Sequence, residues 1–318
     1  MKVKTYRNLN GIKRAAADFK GTERIHMGIR PYEMHAGNML ALVAYPMLLC
    51  QETAKRGITP QYEFIVSIND WEQAELGGHD IYTYHFDIWP VDSTIQFLID
   101  DESGLPSAAH WGQVITERVA TVSDRYPSVK VTPKFNSHLR EQDAMKHVIL
   151  QTIARRKELK QLLLDTTGIP TTGDDTHFAN ALCPKCNHAN TNSEVDGENI
   201  TVNCKKCGFR STDSYENYWY WLSHKPLFAA RWEIFGFDAS LSGGDHFKEK
   251  DVESRKALYE FFFDKPCPNI SMIFTPIMIG KDGNKMSKSR RNYFSADIES
   301  IIAQASKNPG DLIRLHYA

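Results

Sequence analysis

The chain has 318 residues and a mass of 36.3 kDa, long enough for two packed units rather than one small module. Hydrophobic residues make up 42% and charged residues 24%, which excludes a disordered or collagen-like chain. Lys+Arg number 38 against Asp+Glu 39, so no global charge draws the chain to nucleic acid, and any such binding needs a local basic patch.

The opening residues, Met1-Lys2-Val3-Lys4-Thr5-Tyr6-Arg7, lack the apolar core of a secretory signal. The longest apolar run, Met39 to Cys50, has twelve residues and contains Pro46, short of the roughly 20 that span a bilayer. The expectation is a soluble cytoplasmic protein with no membrane partner.

Strand-like residues near Ile25 precede a predicted helix from Asn38 to Arg56, which Gly57 stops and Ile58-Thr59-Pro60 leads out of. Tyr62 to Ile68 is rich in β-branched and aromatic residues and reads as a strand closed by Asn69-Asp70. Together they make a β-loop-α-β unit. A helix from Trp111 to Arg125 and a short strand from Val129 to Val131 follow. One long amphipathic helix is predicted from about Glu141 to Leu164, ended by Gly168-Ile169-Pro170. Ile234 to Leu241 reads as a strand running into Ser242-Gly243-Gly244-Asp245-His246. A helix from Lys250 to Phe263 and a buried strand from Ile270 to Ile279 complete the pattern. Strands and helices alternating at both ends imply a parallel sheet.

Between these halves lie four of the six cysteines, as Cys183-Pro-Lys-Cys186 and Cys204-Lys-Lys-Cys207 with 17 residues between the pairs. That spacing matches a four-thiolate zinc site, and the intervening Asp196-Gly197 fits the turn of a zinc-ribbon hairpin. Four thiolates leave no open position for substrate, so the expected Zn2+ is structural. Cys50 and Cys267 stand alone and read as small buried residues.

Three motifs carry chemistry. Lys285-Met286-Ser287-Lys288-Ser289 follows the last predicted strand, and its lysines, hydroxyls and loop N–H groups suit an anion. Met34-His35-Ala36-Gly37-Asn38 opens a helix, where Gly37 admits a nucleotide and the helix N-terminus favours phosphate. Donors from His35 and Asn38 could hold charge developing on an α-phosphate. Gly243-Gly244-Asp245-His246 sits at a strand's carboxyl end, where Asp245 can accept from ribose hydroxyls.

Lys285 to Ser289 is the KMSKS signature of class I aminoacyl-tRNA synthetases letter for letter, and His35 to Asn38 resembles their HIGH signature in its HxGN form. Gly-Gly-Asp-His resembles their GxDH element, which contacts adenosine. With Ala154-Arg155-Arg156-Lys157-Glu158-Leu159, the four cysteines and Arg231-Trp232, the pattern from Gly21 to Asn292 resembles class I lysyl-tRNA synthetase. Two departures stand out. Pro31-Tyr32-Glu33-Met34 replaces a small-residue stretch where the family's amino acid lies, and only 29 residues follow Ser289.

The resemblance implies an α/β fold, a Rossmann-like nucleotide-binding parallel sheet with a helical and zinc-ribbon insertion. Residues 1–130 form its first half, 131–225 the insertion with the zinc ribbon at 180–212, and 226–292 the second half. A tail at 293–318 leaves no room for an anticodon-binding domain. The implied activity is ATP-dependent formation of an aminoacyl-adenylate, with Mg2+ accompanying ATP and lysine the leading amino acid. His35, Asn38, Lys285 and Lys288 would be catalytic. Gly37, Gly244, Asp245, His246, Met286, Ser287 and Ser289 would bind ATP, and Cys183, Cys186, Cys204 and Cys207 zinc. The acceptor would be the end of a tRNA, or else a small molecule or carrier served by a stand-alone ligase. A zinc-ribbon module that binds RNA without catalysis is the third reading.

Overall fold

The structure, a computed structural model, describes residues 4–31, 34, 36–70, 103–105, 107–168, 170, 178–188, 191–244, 250–279 and 282–285, and the backbone of 73–76 and 79–82. In chain order the first elements are β1 (Lys4–Arg7), α1 (Asn8–Asp18), β2 (Arg24–Ile29), α2 (Ala36–Met39), a π-helical segment (Leu40–Ala44), α3 (Tyr45–Lys55), β3 (Glu63–Ile68), β4 (Gln73–Leu76), β5 (His79–Tyr82), α4 (Ser107–Arg125) and β6 (Lys130–Phe135). They are followed by α5 (Asp143–Ala154), α6 (Arg156–Thr167), β7 (Ala179–Ala181), β8 (Thr191–Asp196), β9 (Asn199–Cys204), β10 (Arg210–Ser214), β11 (Tyr220–Leu222), α7 (His224–Phe235), β12 (Ala239–Ser242), α8 (Asp251–Phe263) and β13 (Ser271–Phe274).

Six strands form one sheet in the order β1-β13-β12-β2-β3-β6, and every pairing is parallel. A parallel sheet needs cover on both faces. On one face Ile25, Met27, Phe64 and Val66 pack with Ile12, Leu48, Leu49 and Ile115, from α1, α3 and α4. On the other, Ile65, Met272 and Phe274 join Phe228, Trp232 and Phe262, from α7 and α8. The result is three α/β/α layers, the expected α/β class with its parallel sheet. Between β6 and β12 the chain leaves the sheet for α5 and α6, the antiparallel sheet β10-β9-β8 and the pair β11-β7.

Three predicted elements differ in extent. The long helix is two, because Arg155 (φ -109°, ψ 29°) leaves helical backbone between α5 and α6. The halves have different partners, α7 for α5 and α8 for α6. Ile234 belongs to α7, which ends at Gly236 with φ +57°. Leu227 to Trp232 are all buried, so this helix is apolar all round and shows no helical period in its sequence. The last strand stops at Phe274, since Pro276 has no N–H for a ladder, and Ile277 and Ile279 are 54% and 55% exposed. The strand β1 and helix α1 went unread because Lys-Thr-Tyr-Arg is too short and charged to signal a strand.

Candidate functional site

The loops after β2, β12 and β13 all leave the carboxyl edge of three adjacent strands, the usual ligand edge of an open α/β sheet. After β2, Gly37 and Asn38 lie in the first turn of a continuous helical run from Ala36 to Lys55. Within it Tyr45 N–H donates to Leu40 C=O, five residues back. This widened turn precedes Pro46, which has no N–H to donate. Ser107 Oγ donates to Pro31 C=O at 2.6 Å and ties the preceding loop to α4.

After β12, a side-chain carbon at Gly244 would stand 2.3 Å from Thr275 O and 2.9 Å from the Pro276 carbonyl carbon. The chain's own exit from β13 thus fills the space beside that glycine. Further on, Ile279 and Lys285 form an antiparallel bridge, with Asn284 N–H on Asp282 Oδ1 at 3.1 Å. This small hairpin presents Lys285 exposed at the start of its loop. His35, Asp245, His246, Met286, Ser287, Lys288 and Ser289 lie outside the described residues.

On the α7/α8 face of the same edge is a cavity of about 250 Å³. Its floor is polar in mid-sheet, where parallel strands are normally apolar. His26 of β2 is buried, with Nε2 2.9 Å from Ser67 Oγ of β3 and Nδ1 3.3 Å from Ser240 Oγ of β12. Its ring stacks on Phe237 at 4.7 Å. Burial, and then the charges of Arg231 and Arg255, hold His26 well below the usual histidine range, so it is neutral.

Arg231 of α7 and Arg255 of α8 also line the cavity and are 2% and 3% exposed. Arg231 Nε donates to Asn136 Oδ1 at 3.0 Å, and Asn136 in turn donates to Asn69 at the end of β3. Arg255 Nε donates to Asp251 at 2.9 Å, its Nη2 lies 3.4 Å from His224 Nε2, and its guanidinium covers the Phe228 ring at 4.4 Å. The sequence reading used Arg231 only as a family mark and passed over Arg255 and His26. The available signal was a polar residue in the middle of each otherwise apolar strand, at His26, Ser67 and Ser240.

The four cysteines converge at the opposite end of the insertion. Their sulfurs all lie within 4.8 Å of one another, with Cys183–Cys207 at 3.6 Å and Cys186–Cys204 at 3.5 Å. A tetrahedral Zn2+ with Zn–S near 2.3 Å sets sulfurs about 3.8 Å apart, so the donor set and its size fit that ion. The two knuckles repeat one backbone design. Asn187 N–H donates to Cys183 C=O and Gly208 N–H to Cys204 C=O, both donors having positive φ, 59° and 70°. Cys183 N–H then donates to His188 C=O and Cys204 N–H to Phe209 C=O. The Phe209 N–H pulls the Cys207 thiol down to about 7, while burial pushes Cys186 up to about 12. Asp196 and Asn199 pair across the two-residue loop Gly197-Glu198, the hairpin turn read from the sequence. Cys50 and Cys267 are buried, as expected, and burial pushes both thiols up.

No curated protein matches the chain. Among solved structures, tyrosyl-tRNA synthetase from Archaeoglobus fulgidus is similar at 15% identity and TM-score 0.41, over 90% of this chain and 64% of that one. Tryptophanyl-tRNA synthetase from Campylobacter jejuni is similar at 13% identity and TM-score 0.33, over 90% and 66%. Tyrosyl-tRNA synthetase from Aeropyrum pernix is similar at 12% identity and TM-score 0.38, over 92% and 80%. This chain therefore spans less than two thirds of the Archaeoglobus chain. Residues 108–306, more than half of the chain, match the profile of the family described as tRNA synthetases class I (K). That match takes in the cysteine knuckles, the turn after β12 and the Lys285–Ser289 run, and the chain belongs to the class I tRNA synthetase family.

Proposed function

We propose that this chain activates an amino acid with ATP and passes it to the end of a tRNA. One observation carries the reading: the loops bearing Gly37-Asn38, Gly243-Gly244 and Lys285 leave adjacent strands at one edge of one parallel sheet. An oxygen of the amino-acid carboxylate attacks the α-phosphorus of ATP, the bond to the β-phosphate oxygen breaks, and pyrophosphate leaves. Charge grows on the α-phosphate and the departing group, so fixed donors at that edge lower the barrier. His35 and Asn38 donate to the α-phosphate, with the helix N-terminus behind them. Lys285 and Lys288, with Met286, Ser287 and Ser289 on the same loop, neutralise the leaving pyrophosphate. Gly244, Asp245 and His246 take the adenosine, next to the exposed Ile277.

ATP enters as its Mg2+ complex, which offsets triphosphate charge. Cys183, Cys186, Cys204 and Cys207 would hold a Zn2+ that fastens the two knuckles and takes no part in the reaction. The resemblance to lysyl-tRNA synthetase puts lysine first as the amino acid, and the cavity chemistry considered next bears on that choice. The test is amino-acid-dependent exchange of pyrophosphate into ATP, run across all amino acids. Exchange with at least one supports activation, and exchange with none overturns it. Transfer to tRNA is read separately, by charging of total tRNA with the amino acid that exchanges.

A further inference from the structure

The cavity on the α7/α8 face lies beside the proposed ATP loops, and its lining includes neither Asn38 nor Lys285. At about 250 Å³ it is below the range of roughly 300–1,000 Å³ typical of drug-sized ligands, a scale suited to an amino-acid side chain rather than a nucleotide. Its walls are cationic. Arg30 stands exposed at the rim, Arg231 and Arg255 are buried inside, and no carboxylate is among the described residues that line it. Asp251 takes Nε of Arg255, while Nη2 is directed at His224, itself a lining residue. A planar guanidinium fork matches a carboxylate or phosphate, whereas an ammonium would meet like charge on three sides. Gly28, on the same face of β2 as His26, keeps the cavity open: a side-chain carbon there would point at Arg231 Nη1 and His26 Cε1, 3.8 Å from each.

We infer that this cavity receives an anionic side chain, so that the amino acid activated is an acidic one and not lysine. The inference rests on the adenylation reading for its reaction but on the cavity for its specificity. The substrate's own α-carboxylate must reach the α-phosphate at the rim, which leaves the buried arginines facing the far end of the amino acid.

The test pairs the exchange assay with calorimetric binding of single amino acids in the absence of ATP. Glutamate, aspartate and O-phosphoserine form the anionic arms, and tell a carboxylate from a phosphate. Lysine, arginine and glutamine are the controls. The expected result is at least 100-fold higher kcat/KM for one anionic arm than for lysine. Gly28→Val, a strand-compatible change that fills the cavity, should raise that substrate's KM at least tenfold and leave the KM for ATP unchanged. Arg30→Gln, at an exposed position, should raise it in the same direction and less. Preference for lysine, arginine or glutamine overturns the inference and leaves activation standing. Should no amino acid support exchange, activation falls, and calorimetry still decides: anion binding abolished by Gly28→Val upholds the cavity assignment, and absent or Gly28→Val-insensitive binding overturns it.

Discussion

Gly244→Ala asks whether the turn after β12 and the exit from β13 are held in one fixed relation. The added carbon would stand 2.3 Å from Thr275 O, 2.9 Å from the Pro276 carbonyl carbon and 3.0 Å from Ile277 N. Relaxed contacts lie near 3.5–4.0 Å, so backbone must separate by roughly 1 Å. No flexible side chain is there to absorb it, since all three atoms are main chain. Overpacking of this kind costs about 1–3 kcal/mol. At about 2–4 °C per kcal/mol, melting should fall by roughly 2–12 °C. The larger effect is on geometry, because one displaced turn carries the proposed adenosine contacts and the other leads to Lys285. A misplacement near 1 Å costs about 100-fold in rate. Pyrophosphate exchange should therefore drop about 100-fold while the far-ultraviolet circular dichroism stays that of the parent. A Gly244→Ala protein with parental exchange and parental melting would refute the reasoning.

Replacing Lys288 by Ala should lower exchange by about 100- to 1,000-fold and change ATP affinity far less, since the charge it meets grows in the transition state; an unchanged exchange rate would remove Lys288 from the mechanism. Metal analysis should find one zinc per chain, and Cys207→Ser or a strong chelator should release it and melt the knuckles, as structural zinc sites carry their own folding energy. Normal melting of zinc-free protein would count against the site. Glu63 ties three strands, bonded to Arg24 of β2 and to Lys130 and Thr132 of β6. Burial raises its pKa, but these hydrogen bonds outweigh it and the net shift is downward. A lowered carboxyl stabilises above its unfolded pKa and loses that contribution as pH falls through the folded one. Glu63→Gln should thus cost up to about 1 kcal/mol at pH 7, given the exposed cations, and the gap to the parent should close between about pH 5 and pH 3 in denaturant titrations.

What could be read from the sequence followed the local signals. Tyr62 to Ile68 announced a strand by composition, and the paired cysteines announced their cluster by spacing. The Asp196-Gly197 turn fixed the hairpin between them. Where a signal depends on surroundings, the sequence misled. The buried α7 has no polar face to give a period, so Ile234 passed for strand. Arg155 breaks a helix only because α7 and α8 claim its two halves. The cavity was illegible for a related reason: Arg231 and Arg255 are 24 positions apart, and His26 is distant from both, so only the sheet brings them to one place.

The strand order also has a consequence for synthesis. Lys4 of β1 pairs with Ser271 of β13, and β1 has no other partner in the sheet. At about 5–20 residues per second, the ribosome makes that partner roughly 10–60 seconds after β1 emerges. Through that interval Tyr6 and Ile12, buried in the finished protein, have no sheet edge to settle on. The strand is four residues long and carries Lys4 and Arg7 at its ends, features that discourage edge-to-edge association. A nascent chain with those two cations replaced by valine should be far more prone to aggregate during translation than after refolding is complete.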